Sequence, residues 1–278
     1  MSDVIKLEKL PNYDCILPNQ YTYKDRKARG SKIIIVGKPG SGKSTLLKSI
    51  LKAKSDIIKT GIAMSGSEGA NEFYREFFPP LFVYEEYDDQ VLADALTRQS
   101  KVISNKELAD EDKWLAVILD DCADQPSVFR QKIQKTLFKN GSHFRMFYII
   151  CMQFALDMPL NVRTAVDGVF LFRETNLESL KLMYVNYAAI VPSFDLFKQL
   201  MLHYTGDHQC LFLNNALQSN DWKQCVYYCK ADVVDGSWRF GSFDLHQWNN
   251  ERFNPLWDDP EYQMNQALKD LPPTTANR

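Results

Sequence analysis

The segment Gly37-Lys38-Pro39-Gly40-Ser41-Gly42-Lys43-Ser44 satisfies G-x-x-x-x-G-K-[ST] at every fixed position, the pattern of a loop that wraps the phosphates of a nucleotide. Its glycines let backbone N–H groups turn inward around an anion, and the helix it opens adds the positive end of a dipole. Lys43 is placed to reach the β- and γ-phosphates and the Ser44 hydroxyl to bind Mg²⁺, with Thr45 a further contact at the α-phosphate. A loop of this kind needs a carboxylate at the end of a neighbouring strand. Asp120 and Asp121 close "WLAVILDD". Asp120 is the expected Mg²⁺ residue and Asp121 the group that orients or deprotonates the attacking water. Capping of the next loop is the plainer role for Asp121, and Asp124 is a weaker candidate for the same job.

Gln153 ends "FYIICMQ", at the carboxyl edge where ligands bind in open α/β sheets. There it could contact the γ-phosphate or the water and report hydrolysis. Other triphosphate enzymes fit less well. A GTPase needs N-K-x-D, but "NKEL" has Leu108 in the acidic position, and Arg163 and Arg173 are sparse for a kinase lid.

The elements that must position these groups follow from patterning. "KIIIVG" (32–37) is a β-branched run suited to a strand buried on both faces. "KSTLLKSILKAK" follows as a helix with Leu46, Leu47, Ile50 and Leu51 on one face. "GIAMS" and "LFVYEEY" (81–87) read as strands, "DQVLADALTRQ" (89–99) as a helix, and "SKVISNKELADEDK" as a surface connection. "WLAVILDD" (114–121), "MFYIICMQ" (146–153) and "GVFLFRE" (168–174) are further strands. "SVFRQKIQKTLFKN" is an amphipathic helix. Two more helices follow, then "QCLFLNN" and "KQCVYYCKA" as a hairpin-like extension. Alternating strands and helices predict an α/β fold with a mainly parallel sheet. The expected organisation is an arm over 1–31, a phosphate-loop domain over 32–242 with a C-terminal extension from about 175, and a loose tail over 243–278.

The chain has 278 residues, 45% hydrophobic and 24% charged, with a formal net charge of -2. That suits a soluble globular protein with no global basic field, leaving local patches open. Six scattered cysteines form no disulfide framework, which suits a reducing compartment. "MSDVIKLEKL" lacks a signal-peptide core, and no stretch approaches the ~20 apolar residues of a membrane span.

Taken together, "KIIIVGKPGSGKS", "MSGSEGANEFYREFFPPLFVYEEYDD", "TRQ", "WLAVILDD", "KNGSHFRMFYIICMQ" and "CVYYCKA…WRFGS" resemble the poxvirus-type genome-packaging ATPases of large double-stranded DNA viruses. These belong to the FtsK/HerA group of P-loop DNA pumps. The resemblance implies a RecA-like core using Mg²⁺ and ATP, and a homo-oligomeric ring of five or six subunits. It further implies translocation of double-stranded DNA into a preformed capsid, with capsid or portal-site proteins as partners. The expected location is the host cytoplasm, at sites of virus assembly, and the virion. Onto matching positions it carries Lys43, Ser44, Asp120, Asp121 and Gln153 in the roles above. Relatives often have Arg where this chain has Ser142 in "NGSHF". An arginine acting on a neighbouring subunit must then come from elsewhere, Arg145 and Arg163 being the candidates. Other outcomes for such a chain are a helicase-like or chromosome-segregating translocase, or a scaffold that binds ATP and moves nothing.

Lys132, Lys135 and Lys139 share a helix face and could track DNA phosphates, as could Lys101 and Lys106; a solvated face is the plainer reading. His208, Cys210, Cys225 and Cys229 match no metal-ligand spacing and read as a histidine among buried thiols. Trp222, Trp238, Trp248 and Trp257 read as core or interface anchors.

Overall fold

A computed structural model describes residues 5–122, 127–154 and 159–256. Asp124, Trp257 and the end of the expected tail lie outside the described residues.

The β-branched runs become the centre of one nine-stranded sheet. The strands are β1 (Glu8–Lys9), β2 (Lys32–Val36), β3 (Gly61–Ser65), β4 (Val83–Tyr84), β5 (Leu115–Asp120), β6 (Met146–Met152), β7 (Gly168–Phe172), β8 (Gln209–Asn214) and β9 (Val226–Lys230). Their spatial order is β1-β9-β8-β7-β2-β6-β5-β3-β4. From β7 to β4 every pairing is parallel; β8 is antiparallel to both β7 and β9. The expected α/β architecture with a C-terminal extension is therefore present, and the extension continues the same sheet.

Strand periodicity divides the core into two layers. Ile33 and Ile35 face one layer, where Leu46, Leu47, Ile50 and Leu51 of α1 (Lys43–Ala53) pack. Ile34 and Val36 face the other. That layer is covered by α3 (Asp89–Ser104), α4 (Lys132–Asn140), α6 (Leu177–Tyr187) and α7 (Phe194–Tyr204). Shorter helices are α2 (Glu68–Asn71), α5 (Leu160–Arg163) and α8 (Trp222–Cys225); α9 (Phe243–Arg252) follows the extension. Each central strand is covered on both faces, so its carboxyl end is the part left open for a ligand.

Several boundaries differ from the sequence expectation. The strand expected over 81–87 is a 3₁₀ turn at Pro80–Phe82 followed by only Val83–Tyr84. The Pro79-Pro80 pair offers no amide to a ladder, which leaves a short edge strand. The helix from Asp89 runs on to Ser104, so the first part of the expected connection is helical. The helix expected from Ser127 begins at Lys132, after a 3₁₀ turn at Val128–Arg130 that buries Phe129.

The arm is not a free appendage. Leu7, Leu10, Tyr13 and Ile16 are buried, and β1 pairs with β9. Tyr13 and Ile16 lend their carbonyls to the buried Lys54 ammonium, at 2.9 and 2.7 Å. The segment after 242 is likewise docked at its start: Trp248 of α9 stacks on Phe82, and Asn249 Oδ1 accepts the Leu81 amide at 2.9 Å. Among the described residues no helix is long and apolar enough to cross a membrane.

Candidate nucleotide-hydrolysis site

The phosphate loop links β2 to α1 and lies over the centre of the sheet. Gly42, with φ +111°, ends it in a conformation that a side chain resists. A Cβ there would also press on Phe172 at 3.3 Å and His208 at 3.4 Å. Pro39, Gly40, Gly42, Lys43, Ser44 and Thr45 line a cavity of about 640 Å³, within the range of small-ligand sites. Gly37 and Lys38 support it from behind. Lys43 Nζ donates to the Gly37 carbonyl at 2.6 Å and the Lys38 carbonyl at 3.3 Å. The Lys38 ammonium pairs with Glu174 at 2.7 Å, just beyond β7.

Asp120, Asp121 and Gln153 line the same cavity from the ends of β5 and β6. Asp120 Oδ2 accepts from the Tyr74 hydroxyl at 2.9 Å. Burial, then the neighbouring Asp121, push the Asp120 carboxyl up to about 6, against the Tyr74 hydrogen bond and Lys43. Asp121 sits at φ +50°, a left-handed conformation uncommon outside glycine that aspartate tolerates better than most residues, as its chain turns away from β5. Gln153 Nε2 donates to Asp121 Oδ2 at 2.9 Å. Asp121 Oδ1 and Ser41 Oγ are buried with no partner among the described residues. Unpaired buried oxygens are rare and mark a place where a ligand is expected.

Three groups escaped the sequence reading. Tyr74, fully buried, holds Asp120, and burial followed by the Asp120 charge keeps its phenol well above its usual range, a neutral donor. Glu68 anchors the segment before it, accepting the Tyr74 and Arg75 amides at 3.0 and 2.8 Å. Both lie in the "SEGANEFY" block, where only the resemblance gave a signal. His208, weighed above only as a metal ligand, contacts the Ser41 carbonyl through Nδ1 at 3.2 Å and lines the cavity.

Other candidates fall elsewhere. Arg145 is 2% exposed, and its guanidinium donates to the Asp110 carbonyl and, at 2.7 Å, to the Asp25 carbonyl. A side chain locked in this way holds the arm to the core and cannot reach a neighbouring subunit, so the arginine role does not fit it. Arg163 is half-buried outside the cavity and donates to Asn186 Oδ1 on α6. Lys132, Lys135 and Lys139 are all exposed on α4, as are Lys101 and Lys106 around the end of α3. Cys210 and Cys229 oppose each other across β8 and β9, buried. Among the described residues no cluster of three or more His, Cys, Asp or Glu could hold a metal.

The family model for the "Poxvirus A32 protein" matches residues 19–237. An uncharacterised protein, 075L, of Invertebrate iridescent virus 6 is 40% identical over 91% of this chain and 98% of its own length. Protein 088R of Invertebrate iridescent virus 3 is 44% identical over 82% of this chain and 85% of its own. Among solved structures, the genome packaging NTPase B204 of Sulfolobus turreted icosahedral virus 2, in complex with ATP-gammaS, superposes with a TM-score of 0.50 at 15% identity. The match covers 73% of this chain and 98% of that one. At that identity it speaks to the fold alone, a P-loop ATPase fold. With the family match spanning most of the sequence, the chain belongs to the poxvirus A32 protein family.

Proposed function

We propose that this protein is an ATP-hydrolysing motor that moves double-stranded viral DNA into a preformed capsid. The observation that carries the reading is the contact between Gln153 and Asp121 beside Lys43 and Asp120, in one cavity. A site that only held a nucleotide would need the phosphate loop and one acid. Here a second acid has one oxygen fixed and the other, Oδ1, buried without a partner among the described residues.

The residues fit Mg²⁺ and a triphosphate. Asp120 is an acid buried beside another acid, a pair that a bound cation would stabilise, and the Ser44 hydroxyl lines the same cavity. Bound there by Ser44 and Asp120, Mg²⁺ would supply charge neutralisation at the phosphates. Lys43 would leave its loop carbonyls for the β- and γ-phosphates. Gln153 fixes Asp121 Oδ2, so Oδ1 can accept a proton from water aligned with the γ-phosphate. Loss of the γ-phosphate would free that water position and change the Gln153 contact, a signal at the end of β6.

Motion around a ring, an arginine contributed in trans, with Arg163 the remaining candidate, and location in the host cytoplasm and virion belong to the same proposal. The similar fold of B204, the DNA-packaging ATPase of Sulfolobus turreted icosahedral virus, supports it. The test is steady-state ATP hydrolysis with and without long duplex DNA. Strong stimulation is expected, with Asp121→Asn lowering turnover about 100-fold or more while nucleotide still binds. Slow turnover, indifferent to DNA in an oligomeric sample, would instead make the protein a nucleotide-dependent scaffold.

A further inference from the structure

The cavity has two flanks. β6 and β5 lie on one side of β2 and bring the two acids and Gln153; β7, β8 and β9 lie on the other. Phe172 at the carboxyl end of β7 pairs with Cys210 near the start of β8, and Gln209 pairs with Lys230 at the end of β9. His208, just before β8, and Lys230-Ala231, leaving β9, therefore emerge at the same edge as the phosphate loop. Thr45, His208, Lys230, Ala231 and Val233 all line the cavity. If the triphosphate end turns toward the acids, the remainder of the nucleotide has this second flank left to occupy.

The strap 231–240 is tied at both ends and forms one wall of the cavity mouth. At its start Lys230 pairs with Asp207 at 2.5 Å. At its far end Trp238 stacks on Phe77 with centroids 5.6 Å apart, Phe240 stacks on Phe78 at 4.5 Å, and the Phe240 amide donates to the Phe77 carbonyl at 2.8 Å. Between these pins Val233 is 88% exposed. An apolar side chain held bare at the mouth of a polar, charged cavity is what a flat ring would cover. Two polar side chains beside it are engaged, His208 with the loop carbonyl and Lys230 with Asp207.

We propose that the β8–β9 extension supplies the nucleoside subsite, with the purine lying against Val233 and Ala231 over Thr45. The wall grips the base by apolar contact and leaves its edge unread. This inference rests on the ATPase reading above and assigns the other end of the same substrate.

Calorimetric titration of the full chain with ATP and with inorganic tripolyphosphate separates the two. In the unmodified protein ATP should bind more tightly than tripolyphosphate. Val233→Ser should weaken ATP about fivefold and leave tripolyphosphate unchanged; the position is a bare surface one, and circular dichroism checks that the variant folds. Equal loss of both ligands, or no change in either, overturns the subsite. So does a selective loss of the ATP advantage in Phe73→Ala, on the acid flank, with Val233→Ser silent. Tripolyphosphate binding with no ATP advantage removes this inference and leaves the phosphate site standing. Failure of the unmodified protein to bind either ligand overturns the ATPase reading and this one with it.

Discussion

Asp120 carries opposing demands that a single substitution can separate. Its carboxyl is buried beside Asp121, and burial followed by that neighbouring charge pushes it up from the ordinary carboxylate range to about 6. A carboxyl raised on folding favours the folded state fully below its unfolded pKa of about 4, and that contribution is lost as pH rises through about 6. Above pH 7 the metal-free protein therefore carries a penalty on the order of 3 kcal/mol. Asp120→Asn removes the titrating group and keeps an acceptor for Tyr74. In EDTA, the variant should unfold at higher denaturant than the unmodified protein at pH 8, with the advantage gone near pH 4, and it should lack Mg²⁺-dependent hydrolysis. A stability difference that stays flat from pH 4 to pH 8 would remove the argument. On the proposed reading the strain is local to function: the acid is costly where it stands, and a cation beside it would offset that cost.

Elements were readable in proportion to how local their cause is. Ile33 to Val36 announce a doubly covered strand through composition alone, and the glycines from 37 to 42 announce the turn over it. The shared position of Asp120, Asp121 and Gln153 at one edge of the sheet was legible because each stands at or just past the carboxyl end of an apolar strand. Tyr74 was not, since its hydroxyl meets a carboxylate 46 positions away and nothing near it in sequence says so. The arm is expected from the sequence, but its docking onto the core is not legible there, for the same reason. Its apolar residues have no period, yet Leu7 N donates to Tyr204 Oη and Tyr204 Oη donates to the Ile5 carbonyl, both at 2.9 Å. One phenol thus ties the edge strand β1 to α7. Tyr204→Phe leaves a buried amide unpaired, which should cost about 2 kcal/mol. Hydrogen exchange should accelerate first at Leu7 and Leu10, and unfolding should follow at lower denaturant. Unchanged protection at those amides would mean that the arm is held by its apolar contacts alone.

Across the whole molecule, the motor proposal needs a route from the acids to a surface that grips DNA, and α4 offers one. The chain leaves β5 at Asp121 and returns through the turn at Val128–Arg130 into α4, with Phe129 seated in the core at 0% exposure. Leu137 and Phe138 fix the inner face of that helix, while Lys132, Lys135 and Lys139 stand in solvent on its outer face. The net charge of -2 makes such a stripe a local feature in a field that does not otherwise draw in a polyanion. Each lysine that neutralises a phosphate releases counterions, steepening the fall of log affinity with log salt by about 0.9. Replacing the three with alanine should therefore flatten the slope by up to about 3 per protomer and reduce DNA stimulation of hydrolysis. Turnover without DNA should stay unchanged, because none of the three lines the nucleotide cavity. A preserved slope with preserved stimulation would place the DNA track on another face. A loss of DNA-free turnover would instead show that α4 supports the acids directly, since the same helix follows Asp121 in the chain.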